Sequence, residues 1–135
     1  MREAKLVPEL YCSDFEASLR FYVDVLGFTV LYARAEDRFA MLEREGAQIM
    51  IEQPVGRAWV MGELVRPFGR GVNFEIECSD VDALYRRVRA SGATVFLEME
   101  EKWYRRDGVE VGNRQFIVQD PDGYLLRFAQ DLGVR

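Results

Sequence analysis

The sequence predicts an α+β protein built from two tandem βαβββ modules, whose mixed and curved sheets would enclose a cleft. Three observations support this prediction. Segment 9–14 reappears at 75–80 with four of its six positions identical. Strand-like and helix-like patterns follow both copies in the same order. Turn-forming residues separate these patterns. We therefore expect a single domain over 1–135, with modules at 5–53 and 71–131 joined by a linker at 54–70.

The repeat continues beyond the matching segments. Ala17 matches Ala83 at the same offset, but Gly27 matches Gly92 only after a slip of one residue. A short match arises easily by chance, whereas a shared order of elements does not. Gene duplication is the simplest explanation of both.

Each module is predicted to begin with a strand, at 5–12 and 71–78, and to continue into a helix, at 15–25 and 81–91. A Ser-Asp pair stands between strand and helix in both, and these residue types accept hydrogen bonds from free N–H groups. In the first module, Ser13 and Glu16 fit a capping box. Apolar residues follow at helical spacing until Gly27 and Gly92, where a left-handed cap ends each helix.

Three further strands are predicted in each module, at 28–35, 38–43 and 47–53 and at 94–99, 114–119 and 124–130. The turn Asp120-Pro121-Asp122-Gly123 would make the last two strands a hairpin, because Pro fixes φ and Gly tolerates positive φ. Segment 100–113 is interpreted as an excursion inside the second module.

Composition narrows the classes of function. The chain has no histidine, which removes the commonest metal ligand and the usual general base near neutral pH. A net charge of −5 argues against a nucleic-acid partner. The apolar runs are too short for a membrane span, and no signal peptide is recognised, so we expect a cytoplasmic protein. Cys12 and Cys78 have no metal or redox spacing and are predicted to be buried thiols.

Alternation along the predicted strands places acidic residues on the sheet face that does not meet the helices. Apolar positions point to the helix side, and the other side carries Glu9, Glu52, Glu75 and Glu77 against Arg127. Such a face can simply meet solvent. If the two sheets are concave and adjacent, they form an acidic trough, which favours a cationic or amine-bearing ligand.

Aromatic residues in polar segments are the second candidate feature of a binding site. Trp59 and Phe68 lie in the linker, and Trp103 and Tyr104 lie in the excursion among charged neighbours. Large aromatics often clamp flat ligands. The alternative is that they close a dimer interface or cap the core.

Two motifs resemble the vicinal oxygen chelate superfamily, which includes glyoxalases, extradiol dioxygenases and bleomycin-resistance proteins. The first is residues 18–28, SLRFYVDVLGF, and the second is residues 115–124, QFIVQDPDGY. The resemblance covers about residues 5–131 and implies the same fold of paired βαβββ modules.

The enzymes of this superfamily hold a divalent metal through one His or Glu on each of four strands. By resemblance, these positions fall on Val7, on Met50 (or Glu52 after a slip of two), on Asn73 and on Arg127. Valine offers no lone pair, and an arginine repels a cation. The resemblance therefore implies no metal, no other cofactor and no metal-dependent catalysis.

The metal-free branch, typified by bleomycin-resistance proteins, is the closest resemblance. Its members are acidic homodimers that capture a cationic, planar-tailed drug and so confer antibiotic resistance. Residues 6–10, LVPEL, resemble its N-terminal arm, and Pro8 would suit an edge or exchanged strand. Residues 114–116 resemble its Arg-Glu-Phe motif, with Gln in place of Glu.

The leading hypothesis is therefore a dimeric binder of a small cationic or aromatic molecule, with no catalytic residues. Its expected ligand-binding residues are Glu9, Met50, Glu52, Trp59, Asn73, Glu75, Glu77, Trp103, Tyr104 and Arg127. Two alternatives stay open: a lyase, isomerase or dioxygenase using Glu52 or Glu75 as a base, and a non-catalytic interaction module.

Overall fold

The computed structural model describes residues 3–135 and contains two four-stranded sheets with one main helix against each. The first half holds β1 (Glu9–Tyr11), α1 (Phe15–Arg20), β2 (Thr29–Arg34), β3 (Phe39–Arg44) and β4 (Ala47–Glu52). The second holds β5 (Asn73–Glu77), α2 (Val81–Ser91), β6 (Val95–Arg106), β7 (Val109–Gln119) and β8 (Leu125–Val134).

The two halves form separate compact units, one ending at Phe68 and the other running from Gly69 to Arg135. The strand order is β1-β4-β3-β2 in the first sheet and β5-β8-β7-β6 in the second. In each, the first strand pairs in parallel with the last, and the remaining pairs are antiparallel. The predicted α+β fold with two βαβββ modules is thus confirmed.

The two helices are anchored by the same pair of contacts. Asp14 and Asp80 are the N-cap residues, and their carboxylates accept hydrogen bonds from the backbone N–H groups of Ala17 and Ala83. The cap is therefore the aspartate of each Ser-Asp pair, and the predicted Ser13 capping box was wrong by one residue. A carboxylate one residue later in the chain reaches the free N–H groups of the first turn.

A glutamine completes each anchor: Gln53 follows β4 directly, and Gln130 lies within β8. Gln53 Oε1 accepts a hydrogen bond from Phe15 N, and Gln130 Oε1 accepts one from Val81 N, both at 2.9 Å. These side chains point to the helix side of their sheets. Their neighbours Glu52 and Ala129 therefore point to the opposite side, called here the open face of each sheet.

The cores lie between each helix and its sheet. In the second unit they include the fully buried side chains of Val81, Leu84 and Val88 from α2, packed with Phe116, Val118, Leu126 and Phe128 from the sheet. Cys12 and Cys78 are buried free thiols, as predicted. Val81–Ser91 coincides with the predicted second helix, and Gly92 ends it with a φ of 79°.

The first helix differs from its prediction. It is α-helical only to Arg20 and continues as a π-helical turn over Phe21–Val25, in which Leu26 N donates to Phe21 O five residues earlier. Strand β1 is also shorter than expected and begins at Glu9, because Pro8 lacks an N–H and contributes only its carbonyl, which accepts from Met50 N at 2.9 Å.

The largest correction concerns segment 100–113. It is not an excursion: β6 and β7 continue through it as a long antiparallel hairpin that turns at Asp107 and Gly108. Charged side chains on both faces hid the alternation that marks a strand. Asp-Gly between two strands is a strong hairpin signal, and it was available in the sequence.

Candidate functional site

A pair of carboxylates lies on the open face of the first sheet. Glu9 pairs with Met50 and Tyr11 with Glu52 along the parallel β1–β4 contact, so these four side chains share one face. Burial raises the pKa of the Glu9 carboxyl above its ordinary range, and the charge of Glu52 and a hydrogen bond with it raise it further. The Glu9 carboxyl therefore holds a proton more readily than an isolated glutamate does.

Aromatic and sulfur-containing side chains adjoin this pair. Phe39 pairs with Glu52 and Met41 with Met50, and both are almost completely buried on the open face. The ring of Tyr32 lies 6.0 Å from that of Phe39, and the Arg34 guanidinium lies 4.1 Å from the Phe39 centroid. The sequence analysis did not single out these residues, because strand β3 is buried on both faces and shows no alternation.

Trp59 does not pack against this group. Its side chain is 73% exposed, and only its backbone N–H reaches the open face, where it donates to the Tyr11 hydroxyl at 3.1 Å. The Arg57 guanidinium lies 5.0 Å from the indole. The segment that carries Trp59 thus borders the open face and leaves the indole accessible.

The open face of the second sheet carries an arginine held by two neighbours. Asn73, Glu75 and Glu77 pair with Leu125, Arg127 and Ala129. Arg127 Nε donates to Asn73 Oδ1 at 3.1 Å, and its terminal nitrogen lies 3.9 Å from Glu75 Oε1. Three of the predicted site residues are therefore in direct contact with one another.

A cleft of about 330 Å³ opens beside this group, within the second unit. Glu75, Glu77, Asp131 and Arg106 supply its charged groups. Asn113 also lines it and donates to Glu75 Oε1 at 3.1 Å. Its apolar wall consists of Val111, Ala129 and Val134. Arg106 and Asn113 were missed because segment 100–113 was not recognised as a hairpin, and Asp131 was missed because β8 continues beyond residue 130, where the strand was predicted to end.

Trp103 and Tyr104 are neighbours in β6 and therefore point to opposite faces of the sheet. Tyr104 pairs with Val111, a cleft residue, and its hydroxyl accepts a hydrogen bond from Gln115 Nε2 at 2.7 Å. Trp103 pairs with Gly112 on the other side. Only Tyr104 lies on the face that carries Glu75 and Glu77.

Trp103 packs within its own unit. A Cβ on Gly112 would lie 2.7 Å from three atoms of the indole, so the ring rests directly on the glycine backbone. The Arg135 guanidinium lies 4.2 Å from the ring centroid and is held by Glu110 at 3.0 Å. These contacts explain the position of the Trp103 indole without any ligand.

Comparison with known proteins places the chain in a family. Residues 6–128 match the Glyoxalase/Bleomycin resistance protein/Dioxygenase superfamily. The chain belongs to this superfamily. The bleomycin resistance protein of Geobacillus stearothermophilus is 27% identical, over 93% of this chain and 96% of that protein. A bleomycin resistance protein of Staphylococcus aureus matches to the same extent.

Two solved structures share the fold of this chain. TioX from Micromonospora sp. ML1 is 25% identical and superposes with a TM-score of 0.73, over 96% of this chain and 99% of that chain. Lactoylglutathione lyase from Agrobacterium tumefaciens, 20% identical, has a TM-score of 0.60 over 96% and 94% of the two chains. The latter likeness establishes the fold alone.

The positions that correspond by resemblance to the superfamily's metal ligands carry side chains that do not suit a divalent ion. In the second unit they are Asn73 and Arg127, whose side chains bond to each other, and a fixed guanidinium charge repels a metal. In the first unit they are Val7 and either Met50 or Glu52, which offer one carboxylate at most. Within residues 3–135, no group of three His, Cys, Asp or Glu residues is arranged to hold a metal ion.

No helix that the structure describes between residues 3 and 135 combines the length and the apolar composition needed to cross a bilayer.

Proposed function

We propose that the chain binds and sequesters a small cationic or aromatic molecule without a metal, in the manner of a bleomycin-resistance protein. The contact between Arg127 and Asn73 carries this proposal. By resemblance, Arg127 and Asn73 correspond to two of the positions that hold the metal in the superfamily's enzymes, and here Arg127 Nε donates to Asn73 Oδ1. Polar groups fixed in this way can orient a ligand but supply no Lewis acid.

The chemistry of the two open faces supports the choice of ligand. The first sheet offers the Glu9–Glu52 pair beside Met50 and the Phe39 ring. The second offers Glu75 and further carboxylates in the cleft. Acidic groups attract cations, and aromatic and sulfur-containing side chains provide surfaces for flat groups. Trp59 would close over such a ligand from its exposed segment.

The relatives support the same class of function. Both curated relatives reported above carry the name bleomycin resistance protein, and they match over nearly the whole chain. An identity of 27% supports a shared superfamily role but does not identify the ligand. Bleomycin is therefore the first ligand to test.

Isothermal titration with copper-free and copper-loaded bleomycin tests the proposal directly. We expect saturable binding that is unchanged after dialysis against a chelator, since no step needs a protein-bound metal. An R127M variant should bind less well, because it loses the contacts with Asn73 and Glu75; R86M removes an exposed positive charge from α2 and is the control for charge. No heat with either form of the drug would remove the bleomycin assignment, and one bound metal ion per chain would remove the metal-free mechanism.

We also propose that the protein acts as a homodimer in the cytoplasm. In the single chain, β1 pairs with β4 of its own unit, and an exchanged N-terminal strand would form the same contacts with a second copy. Light scattering should then give twice the 15.7 kDa chain mass. A monomer at micromolar concentration would contradict the proposed dimer, and secretion from the source cell would contradict the proposed location.

A second candidate function, proton-transfer catalysis, is favoured by one observation. A carboxyl with a raised pKa, such as Glu9 beside Glu52, can act as a general base or acid. Turnover of hemithioacetal or catechol substrates, with and without added nickel, manganese or iron, separates catalysis from passive binding. Activity that is lost in both E9Q and E52Q would favour the enzyme.

A further inference from the structure

A cluster of exposed apolar side chains lies in the segment between β4 and β5. Among residues 3–135, thirteen large apolar side chains are exposed, and six of them lie within residues 55–65: Val55, Trp59, Val60, Met61, Leu64 and Val65. Single exposed apolar residues are ordinary on a protein surface, but such a concentration in one short segment indicates a contact surface. Residues 55–65 are called here the apolar segment.

The apolar segment is restrained at two places by its own unit. The backbone N–H of Trp59 donates to the hydroxyl of Tyr11, a buried side chain, at 3.1 Å. Directly after the segment, Arg66 Nη2 donates to Ser13 Oγ at 2.8 Å, and the Phe68 side chain is buried. These contacts hold the backbone while the apolar side chains remain in water. A surface that is fixed in advance binds a partner at a lower entropic cost.

The charges of the apolar segment are self-complementary. Arg57 and Glu63 are three positions before and three positions after Val60. Suppose that two copies meet across a twofold axis at Val60, with their segments running in opposite directions. Arg57 of each copy then lies opposite Glu63 of the other, and Trp59 lies opposite Met61. Both charged side chains are exposed, and Glu63 has no hydrogen bond or ion pair with any part of residues 3–135.

We infer that the apolar segment is the contact surface between two copies of this chain, with Arg57 of each copy paired to Glu63 of the other. Burial of the apolar side chains of both copies stabilises the contact, and the two ion pairs select its register. The inference rests on the proposed homodimer and names the surface that forms it. It depends neither on an exchanged β1 nor on the identity of the ligand. Because Trp59 borders the open face, the same contact would hold the indole beside the proposed ligand.

Charge reversal tests the pairing. R57E and E63R each place like charges opposite one another at both ends of the contact, so each variant alone should form a dimer about tenfold weaker than that of wild type. In a mixture of the two variants, a heterodimer has opposite charges at both ends. It should therefore form with the wild-type affinity to within about twofold.

Sedimentation velocity measures these affinities, and native mass spectrometry separates the heterodimer from the two homodimers by mass. Both variants keep a net negative charge, so their overall charges do not favour the mixed dimer. A mixture that associates no better than the separate variants would overturn the inference.

A second pair of variants tests the apolar part of the contact. M61E should weaken the dimer by at least about tenfold, because it introduces a charge from each copy between apolar side chains. Met61 is fully exposed in the single chain, so the substitution should leave the fold intact, which circular dichroism checks. F96E is the matched control: Phe96 is 59% exposed on β6 of the other unit, and its replacement should change the dimer affinity by less than about twofold. Dissociation by F96E and not by M61E would place the contact elsewhere and overturn the inference.

The same measurements separate this inference from the proposed function. If wild type and M61E are equally dimeric, the homodimer stands and this surface falls. If wild type is a monomer, both fall. If the variants behave as expected while bleomycin gives no heat, the contact surface stands and the drug assignment falls.

Lipid is the other occupant that an apolar segment with exposed arginines could meet, and vesicles of equal parts phosphatidylcholine and phosphatidylglycerol test it. We expect wild type to remain in the supernatant when the vesicles are sedimented. A monomer that sediments with the vesicles, and no longer does so as M61E, would assign the segment to a membrane surface and overturn the inference.

Discussion

At the scale of single residues, Glu9 has a carboxyl whose pKa is raised by its surroundings. Burial raises its carboxyl pKa most, followed by the charge of Glu52. Replacing Glu52 with Gln removes the charge and leaves the burial. We therefore expect E52Q to lower the pKa of Glu9 towards, but not to, its ordinary range. Carbon-detected NMR titration of the side-chain carboxyl measures this, with E36Q as the control that should leave Glu9 unchanged.

The same shift determines the sign of a pH effect on stability. The folded protein holds the Glu9 proton more tightly than the unfolded chain does. This favours folding at low pH, and the advantage is lost as pH rises from the ordinary glutamate range through the raised pKa. E9Q should therefore melt higher than wild type at about pH 7 and show a smaller gain at about pH 4. A gain that is larger at the lower pH would show that the charge of Glu9 is stabilised by its surroundings.

The contact between Trp103 and Gly112 gives a second prediction for single residues. A methyl group at Gly112 would collide with the indole at 2.7 Å, so G112A should lower the free energy of unfolding by about 1–3 kcal/mol. Gly108 has open space around it, and G108A should have little effect. Urea unfolding followed by tryptophan fluorescence compares the two. Equal stabilities would mean that the indole moves aside at no cost.

At the scale of the elements, the β7–β8 hairpin depends on its turn. Asp120 is buried, and its Oδ1 accepts from Asp122 N at 2.9 Å and from Tyr124 N at 3.0 Å, while Gly123 N donates to Asp120 O. D120A leaves two buried N–H groups without an acceptor and should cost about 1–3 kcal/mol. D120N keeps the oxygen and should cost less. Hydrogen exchange of the Asp122 and Tyr124 amides measures the loss directly.

The elements also show where sequence reasoning succeeds and where it ends. The second helix was predicted to the residue, because Asp80 and Gly92 mark its limits and apolar spacing fills the interval. The prediction for segment 100–113 was wrong, because its charged side chains conceal the alternation of a strand. Three of the eight residues that line the cleft lie on that hairpin. Its residues could not be assigned to a face until the pairing and its bulges were known.

Some residues of the candidate site were also predicted from the sequence, and others were not. The acidic residues of β1, β4 and β5 were placed on the open faces correctly by their alternation. The buried Gln115 and the aromatic side chains around Phe39 were not assigned to a face from the sequence, because burial on both sides of a strand leaves no periodic signal. The pairing of Trp103 with Gly112 depends on register, which a single sequence does not reveal.

For the molecule as a whole, the two units repeat one helix anchor. Gln53 and Gln130 hold their helices by equivalent bonds of 2.9 Å and share no described partner. Q53A and Q130A should each lower the free energy of unfolding by about 1 kcal/mol. The double variant should show their sum within about 0.5 kcal/mol. Chemical denaturation of the three variants measures this, and a strong departure from the sum would mean that the two anchors are coupled.

The π-helical turn of the first module explains why the two copies differ in length. Ten steps along the chain separate Ala17 from Gly27, but nine separate Ala83 from Gly92. A wider turn over Phe21–Val25 takes up the additional residue, so both Gly27 and Gly92 still end a helix with positive φ. The two copies thus differ here by one residue in length as well as in their side chains. Shortening the chain by one position in this turn should restore an ordinary helix.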